Sequence, residues 1–401
     1  MVALALELQR RGHTPVIATS GFYREKIVST GVAFHATRPN LTPDDKDLLR
    51  AVMDERGGPE HVIRRLMVPA VREMYADLMD AAQGADLMVS AELVFAADSV
   101  AEKAGIPWIV ATLAPLSFMS RYDPPILIQA PWLGRIASFS KPLYAWLVAL
   151  SQWGIRHWTE PVRQMRRDLG LLPGPAGIFG PRQHAAALLA MFSSVVGRPQ
   201  PDWPAATRQT GFAFYDRHEP MPAALGAFLD AGDPPIAFTL GSAAVFDPGE
   251  FYRHSAEAAR SIGRRAVLLV GPDPPPLPSF DDRIAVAPYA PFSELFPRAA
   301  AVVHQGGIGT TAQTLRAGRP MVIVPFSHDQ PDNAARIVRL GTGAVIGRRE
   351  YSAASAAQAL RRVLDDPACG ARAAQAAAQI QNENGAANAA EVIEQVLERR
   401  L

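Results

Sequence analysis

The chain has 401 residues, 48% hydrophobic and 20% charged, which is enough to bury the cores of two domains. Its 40 basic and 39 acidic side chains leave a formal charge of +1, which argues against a surface built for nucleic acid. The single cysteine, Cys369, excludes an intramolecular disulfide and a multi-cysteine metal site; we expect a small buried residue there and a cytoplasmic protein.

The first part of the chain alternates helical and β-rich runs. Residues 1–12 (MVALALELQRRG) have a helical pattern rather than that of a signal peptide. Further strands are predicted at 14–19, 32–37, 86–90 and 108–113, and further helices at 22–29, 61–82 and 96–104. This alternation predicts βαβ units and a parallel sheet.

Residues 115–180 interrupt the alternation with prolines and long amphipathic runs, which indicates an insertion or cap over one end of the sheet, with a ligand cavity beneath it. This region contains Trp132, Trp146, Trp153 and Trp158. These rings would suit a polycyclic or lipid alcohol, and ordinary packing of long helices explains them equally well. Its most apolar run, 142–155, is too short to span a membrane, and peripheral contact with the inner face of a membrane is an alternative.

Two polar, proline-rich stretches, 197–205 and 216–222, have the composition of interdomain linkers. We therefore expect a first domain over 1–205, a second over 206–380 and a last helix over 381–401. The second half alternates again, with strands at 236–240, 266–270, 283–287, 300–304 and 321–324 and helices at 251–262, 310–317 and 333–340. This pattern predicts a doubly wound parallel-sheet domain.

The most informative segment is a glycine-rich strand-to-helix turn, 302–311 (VVHQGGIGTT). Backbone amides at such a helix start, with the helix dipole behind them, favour a phosphate or diphosphate. His304, at the carboxyl end of the strand, can donate a further hydrogen bond to the same oxygens. The alternative is an ordinary tight turn with a buried histidine. No lysine lies nearby, which excludes a P-loop.

A second polar block follows one βα unit later, where residues 325–333 read PFSHDQPDN. Asp329 can accept hydrogen bonds and Gln330 can both donate and accept them, which is the mixture that a hexose requires. The alternative role is helix capping, which suits Asp332 better than Asp329.

Together with 288–296 (PYAPFSELF), these two blocks resemble the donor signature of the inverting UDP-glycosyltransferases, especially the bacterial branch similar to sterol and antibiotic (macrolide-type) glycosyltransferases. The resemblance covers the second half of the chain and, less sharply, the first half. It implies an α/β GT-B fold with two Rossmann-like domains facing a cleft. It also implies a hexosyltransferase of bacterial secondary metabolism that transfers a hexose, with inversion, from a nucleotide diphosphate sugar, expected to be a UDP-hexose, to a hydroxyl of a lipophilic small molecule.

Position by position, the resemblance implies a set of donor-binding residues. Tyr289, where plant relatives carry a tryptophan, would stack on the nucleobase, whose edge Ala290 would contact. Phe292 replaces a glutamine of the plant enzymes, which leaves ribose recognition open. The diphosphate would contact Gly241, Ser242, His304 and the amides from Gly307 to Thr311, among them Gly309 and Thr310, and the hexose would contact Asp329 and Gln330. Gly306 and His328 complete the set of donor-binding residues.

The resemblance also points to the front of the chain. In the family, a strand and a glycine-rich loop that often carries the general base precede the opening helix, whereas here Met1 aligns with the start of that helix. We therefore expect Met1 to be an internal methionine and the native protein to be roughly 15 to 25 residues longer. In the chain as given, Glu92, after the strand at 86–90, is a weak candidate for the base. Its alternative role is that of a solvated loop carboxylate. Plant relatives place an orienting aspartate near this point, at the position that corresponds to Ala91.

Neither a cofactor nor a metal is expected, because amides and His304 can stabilise the departing diphosphate of the co-substrate. The partners would be the nucleotide sugar and the acceptor, with the chain a monomer or weak dimer. Two alternatives stay open. A GT-B sugar-nucleotide epimerase needs proton-moving carboxylates that the first domain does not clearly show. A catalytically impaired nucleotide-sugar-binding protein would bind the donor without transferring the sugar.

Overall fold

A computed structural model describes residues 1–42, 45–172, 184–216, 219–274 and 276–399, without the side chains of residues 242 and 243. The chain divides into two compact units: Met1–Thr42, Pro59–Tyr215 and Glu383–Leu401 form the first, and Pro43–Gly58 with Asp216–Asn382 form the second. Residues 45–58 therefore cluster with the second unit, although the sequence places them in the first domain. The first unit also runs past residue 205, because a further strand of its sheet follows there.

The strands of the first unit are β1 (Val16–Thr19), β2 (Ala33–Ala36), β3 (Met88–Ala91), β4 (Trp108–Thr112), β5 (Ala187–Ala190) and β6 (Thr207–Gln209). Those of the second unit are β7 (Ile236–Thr239), β8 (Ala266–Leu269), β9 (Ile284–Ala287), β10 (Ala301–His304), β11 (Met321–Ile323) and β12 (Gly343–Val345). All the ladders between them are parallel, as the βαβ pattern predicts.

The helices up to residue 172 are α1 (Val2–Arg10), α2 (Arg24–Val28), α3 (Lys46–Val52), α4 (Gly58–His61), α5 (Val71–Ala81), α6 (Ala97–Ala104), α7 (Leu133–Phe139), α8 (Lys141–Ile155) and α9 (Glu160–Asp168). Those that follow are α10 (Ala223–Asp230), α11 (Gly241–Ala244), α12 (Phe251–Ser261), α13 (Phe292–Leu295), α14 (Ile308–Arg316), α15 (Gln330–Leu340), α16 (Ala353–Leu364), α17 (Pro367–Gln381) and α18 (Gly385–Glu398). A π-helical segment, Val62–Met67, lies between α4 and α5. Among the helices of the described ranges, none is both long and apolar enough to cross a membrane.

The sheet of the second unit has the order β12-β11-β10-β7-β8-β9. Its central strands are buried on both faces, which explains why they are continuous apolar runs. Neighbouring residues of one strand pack into different cores: Phe238 lies in one apolar cluster and Ala237 in another. The strand order reverses where β7 pairs with β10, so this pair marks the switch point of a doubly wound sheet.

The strands of the first unit form two separate sheets, β1-β2 and β3-β4-β5-β6. Within the described residues, no ladder joins β1 to β3. Side chains of both strands nevertheless contact one apolar cluster, since Ala18 and Met88 pack against the cluster that contains Val71 and Val100. The two sheets therefore share a core without sharing backbone hydrogen bonds.

The last helix, α18, belongs to the first unit and packs along α1. Leu4 lies in one buried cluster with Ala389 and Ile393. Arg11 donates from Nη1 to Glu394 Oε2 at 2.8 Å, and Asn388 Nδ2 donates to the Thr210 carbonyl oxygen at 2.8 Å. Apolar packing and these polar contacts together fix the end of the chain on the first unit.

Candidate functional site

The predicted motifs of the second unit lie at one edge of its sheet. β7, β10 and β11 are neighbouring parallel strands, so the loops that follow their carboxyl ends meet. These loops carry the turn at Gly241, the turn at 305–307 and the block at 324–329. Open α/β sheets bind ligands at this edge, next to the switch point.

The glycine-rich turn leads into α14, whose N-cap residue is Gly307. The amide of Ile308, the first residue of the helix, donates to the Asp329 side chain. The first helical amides have no carbonyl partner one turn earlier, and the helix dipole adds partial positive charge at the same end. The start of α14 is therefore suited to an anion such as a phosphate group.

Two positions at this edge require glycine. Gly306 has φ +88° and Gly241 has φ +66°, both in the left-handed region. A β-carbon at position 306 would lie 2.7 Å from Ile323 Cγ2, and one at position 241 would lie 2.2 Å from Gln305 Nε2. Glycine thus permits both the backbone conformation and the close approach of the neighbouring loops.

His304 is completely buried at the end of β10. The Gly306 amide donates to His304 Nδ1 at 3.0 Å, and Nε2 lies 3.4 Å from Met321 Sδ. Burial lowers the pKa of His304 to about 3, so the ring is neutral near pH 7. The sequence predicts that His304 contacts the diphosphate. In the structure both ring nitrogens lie against protein atoms, and the ring stabilises the turn by accepting the Gly306 amide hydrogen bond.

We expect the burial of His304 to make stability depend on pH. An unfolded chain takes up a proton at this ring near pH 6.5, whereas the folded chain does so only near pH 3. The contribution of the neutral His304 ring to the free energy of unfolding is therefore fully present above pH 6.5. It is lost as the pH falls below this value, at roughly 1.4 kcal/mol per pH unit. Denaturant unfolding between about pH 7 and about pH 5 measures this slope for the wild type and for His304→Asn.

In the His304→Asn variant, the free energy of unfolding should depend less steeply on pH, by the equivalent of about one bound proton. The reason is that the asparagine side chain does not titrate between these pH values. The control is His157→Gln, which replaces an exposed histidine with a side chain that has no titratable group. Equal slopes in His304→Asn and wild type would contradict a buried neutral ring at position 304.

Asn333, in the first turn of α15, links the two predicted motifs. Its Nδ2 donates to the Gly306 carbonyl oxygen at 2.9 Å and to Asp329 Oδ2 at 2.8 Å. Burial raises the pKa of Asp329, and the Asn333 hydrogen bond opposes that rise. The structure therefore brings Asp329 next to the glycine-rich turn.

Gln330 lies beside Asp329, and its side chain is engaged within its own loop. Its Oε1 accepts hydrogen bonds from the amides of Phe326 at 2.7 Å and Ser327 at 3.1 Å, which leaves the amide nitrogen as the group able to meet a ligand. His328, two residues before Gln330, has φ +59°, a strained conformation for a residue other than glycine. Such strain is concentrated at ligand-binding loops.

The residues predicted to contact the nucleobase follow β9. The Tyr289 ring is 43% exposed, whereas Ala290 is completely buried. Phe292 stacks on Phe296 with 4.5 Å between ring centroids, so its ring turns towards the core. Tyr289 therefore presents an accessible aromatic surface at the same edge of the sheet, and Phe292 does not offer a polar group for a ribose.

Gln305 is a site residue that the sequence interpretation missed, although it lies inside the glycine-rich motif. It is 7% exposed, and Nε2 lies against both Gly241 and Gly307. Its Oε1 is buried without a hydrogen-bond partner among the described residues, and Thr311 Oγ1 and Asn333 Oδ1 share this property. Buried polar atoms of this kind are uncommon in native proteins and point to a ligand that completes their hydrogen bonds.

The structure describes three further predicted positions. Gly309 and Thr310 lie in the first turn of α14, which begins at Ile308, whereas the sequence predicts a helix from residue 310. Ser242 is part of the short helix α11 directly after Gly241, and its side chain lies outside the described part of the structure.

In the first unit, Glu92 directly follows β3 at its carboxyl end and is half-buried. The Thr112 hydroxyl donates to Glu92 Oε1 at 3.1 Å and the Ser117 hydroxyl donates to Oε2 at 2.5 Å. These contacts fix the orientation of the carboxylate, so Glu92 is not the freely solvated loop residue of the alternative interpretation. The neighbouring Ala91 is exposed.

The tryptophans expected near an acceptor are mostly exposed. Trp132, Trp146 and Trp153 are 52%, 59% and 60% exposed. Trp158 is half-buried, and the Arg64 guanidinium lies 5.6 Å from its ring centroid. The exposed rings match neither an acceptor pocket nor the packing of a helical core.

Comparison with known sequences gives matches over the whole chain. The family described as "Erythromycin biosynthesis protein CIII-like, C-terminal domain" matches residues 271–398. O-mycaminosyltylonolide 6-deoxyallosyltransferase of Streptomyces fradiae is 32% identical, over 100% of this chain and 94% of its own length. A sterol 3-beta-glucosyltransferase of Arabidopsis thaliana is 29% identical, over 91% of this chain and 58% of its own length.

Solved structures share the fold. The glycosyltransferase of kitacinnamycin superposes with a TM-score of 0.71 at 20% identity, covering 98% of this chain and 94% of that one. Glycosyltransferase VinC, solved in complex with dTDP, superposes with a TM-score of 0.67 at 21% identity, covering 100% and 96%. These similarities confirm the expected GT-B fold, with parallel sheets in two units.

Proposed function

Since the chain belongs to the glycosyltransferase family that includes macrolide and sterol glycosyltransferases, we propose that it transfers a hexose from a nucleotide diphosphate sugar to a lipophilic acceptor. The acceptor would be a sterol-, polyketide- or lipid-like molecule with a free hydroxyl group. The reaction would invert the configuration at the anomeric carbon. UDP-hexose is the proposed donor, and no cofactor or metal is part of the proposal.

The observation that carries this proposal is the group of unpaired buried polar atoms at the start of α14. Gln305 Oε1, Thr311 Oγ1 and Asn333 Oδ1 lie on the turn and the two helices that surround it. A diphosphate would accept hydrogen bonds from the first amides of α14, and the hydroxyl groups of the sugar can donate to oxygen atoms that now have no partner. A nucleotide sugar offers both kinds of group in one molecule.

The chemistry is an in-line displacement. A base removes the acceptor hydroxyl proton while the oxygen attacks the anomeric carbon, and the bond from that carbon to the diphosphate breaks. We assign the base to Glu92, whose carboxylate Thr112 and Ser117 orient. The diphosphate leaves with the bonding electron pair, and preorganised amides at the start of α14 stabilise its charge. His304 supports this step indirectly, by accepting the Gly306 amide hydrogen bond that shapes the turn.

Binding experiments distinguish a UDP-sugar from a dTDP-sugar as the donor. An aromatic ring such as Tyr289 can stack on uracil and on thymine alike. Two solved relatives of the same fold were crystallised with thymidine diphosphates, which makes dTDP-sugars the first alternative. Titration calorimetry with UDP-glucose and dTDP-glucose separates the two, and donor binding without transfer or hydrolysis would instead favour a nucleotide-sugar-binding protein.

The variant Gly241→Ala tests the donor site. Its β-carbon would lie 2.2 Å from Gln305 Nε2 and should displace that side chain, so we expect donor affinity to fall about tenfold or more. The matched control is Gly249→Ala, because Gly249 also has a positive φ, +52°, but no atom lies within 4 Å of its β-carbon position. Both substitutions place a β-carbon on a residue with a positive φ, so both strain the backbone. Only Gly241→Ala should lower the donor affinity measured by calorimetry. Equal affinity in both variants would contradict a role for Gln305 in the donor site.

A further inference from the structure

Helix α8 is apolar on two opposite faces. Tyr144 and Val148 are buried against α7, in a cluster with Leu133 and Ala137. On the other side, the exposed large apolar residues follow the spacing i, i+3, i+7 and i+10, which places them in one stripe. The stripe consists of Leu143, Trp146, Leu150 and Trp153, with exposures of 46%, 59%, 46% and 60%.

The stripe runs for about 15 Å along the helix at 1.5 Å per residue. Two aromatic residues from α7 and its start, Trp132 at 52% and Phe139 at 91% exposure, add to the apolar surface of the same helical pair. Single exposed apolar residues are common, but a regular row of two tryptophans and two leucines, with two further exposed aromatic residues on the neighbouring helix, indicates an interaction surface.

The charged residues in the sequence segment that contains the stripe have one sign. Between Asp123 and Glu160 the sequence contains no carboxylate, and it contains Arg135, Lys141 and Arg156. Lys141 begins α8 and its ammonium lies 4.6 Å from the Tyr122 ring, while the Arg156 guanidinium, just past the end of α8, lies 4.2 Å from the Trp153 ring. Both ends of the apolar stripe therefore carry a basic group beside an aromatic ring.

We propose that the α8 stripe docks on an anionic lipid surface. The tryptophan and leucine side chains enter the boundary between headgroups and acyl chains, where amphipathic helices with aromatic rings bind. Lys141 and Arg156 contact lipid phosphates at the two ends of the stripe. Pairing of the stripe with a second copy fits less well, because symmetric association would bring basic groups together without any acidic partner in this segment.

Cosedimentation of the full chain with vesicles tests the proposal. We expect binding to phosphatidylcholine vesicles containing phosphatidylglycerol to be at least about tenfold stronger than to phosphatidylcholine alone. The double variant Trp146→Ser, Trp153→Ser should lose about tenfold or more of that binding. The double variant Lys141→Glu, Arg156→Glu should lose the preference for phosphatidylglycerol.

The matched control replaces exposed apolar residues away from the stripe, Val338→Ser with Val345→Ser, which are 43% and 48% exposed in the wild type. This variant should bind vesicles as the wild type does, and circular dichroism checks that all variants are folded. Vesicle binding that is unchanged in the tryptophan variant would overturn the proposal. So would a lipid-free dimer, detected by sedimentation equilibrium, that the tryptophan variant abolishes. The readout involves no sugar, so its outcome is independent of the donor site.

Discussion

Glu92→Gln is expected to reduce turnover by about two orders of magnitude or more, the usual contribution of a general base. The substitution preserves the size of the side chain and allows hydrogen bonds with Thr112 and Ser117, but it removes the group that accepts the proton. Donor affinity should stay within about twofold, because the loss concerns the chemical step. The measurements are steady-state sugar transfer and donor calorimetry on the same preparation.

The control for this experiment is Glu73→Gln, which removes an exposed carboxylate of the same unit and should leave turnover unchanged. Ser117→Ala should give an intermediate loss, because it frees one carboxylate oxygen without removing the base. If Glu92→Gln keeps full turnover, the base is another group and Glu92 only holds β4 and the turn at Ser117 together.

Arg166→Met should destabilise the first unit by about 2–4 kcal/mol, because it leaves partly buried carboxylates without their cation. Arg166 is 1% exposed on α9 and donates to Asp98 at 3.1 Å and to Glu102 at 2.6 Å, both on α6. It also donates to the Leu172 carbonyl oxygen at 2.7 Å. Methionine would fill most of the space but satisfy none of these acceptors.

Tryptophan fluorescence during denaturation measures this effect selectively, since all six tryptophans lie before residue 216 and report on the first unit. The control is Arg72→Met, which removes the ion pair between two exposed side chains, Arg72 and Asp168. A surface pair of this kind contributes less than about 1 kcal/mol. Equal losses in the two variants would contradict the importance of burial for Arg166.

The sequence predicted the sheet of the second unit well, because strands buried on both faces are continuous apolar runs. β7, β8 and β10 are of this type. Three other strands gave no such signal. β5 (ALLA) has no β-branched residue and is compatible with a helix, β6 (TRQ) is polar, and β12 (GAV) contains three residues and starts with glycine.

The membership of 45–58 in the second unit could not be predicted, because it depends on contacts distant in sequence. Met53 lies in the core of the second unit, and Ser327 Oγ donates to the Asp54 carbonyl oxygen at 2.8 Å. Local patterns show that α3 can form, but they do not show which sheet it will cover.

The position of the candidate site was predictable, because the loops that follow neighbouring parallel strands share an edge. The orientation of its side chains was not. His304 has a suitable group for a phosphate, but within the fold the Gly306 amide occupies its Nδ1. Gln330 likewise uses its Oε1 for the amides of its own loop, while the unpaired Gln305 appeared unremarkable in sequence. Which polar groups remain for a ligand is decided by competition with the backbone.

The division of the first unit into two sheets has a consequence for local unfolding. β1 and β2 form a two-stranded parallel pair. Side-chain contacts tie this pair to the rest of the described unit, among them the packing of Ala18 and Ile27 and the 2.9 Å contact between His35 Nε2 and Asp80 Oδ2. A two-stranded sheet is only marginally stable by itself. In the chain as given, we therefore expect the segment from β1 to β2 to open locally at a lower free energy than the four-stranded sheet, and its amides to exchange with solvent faster.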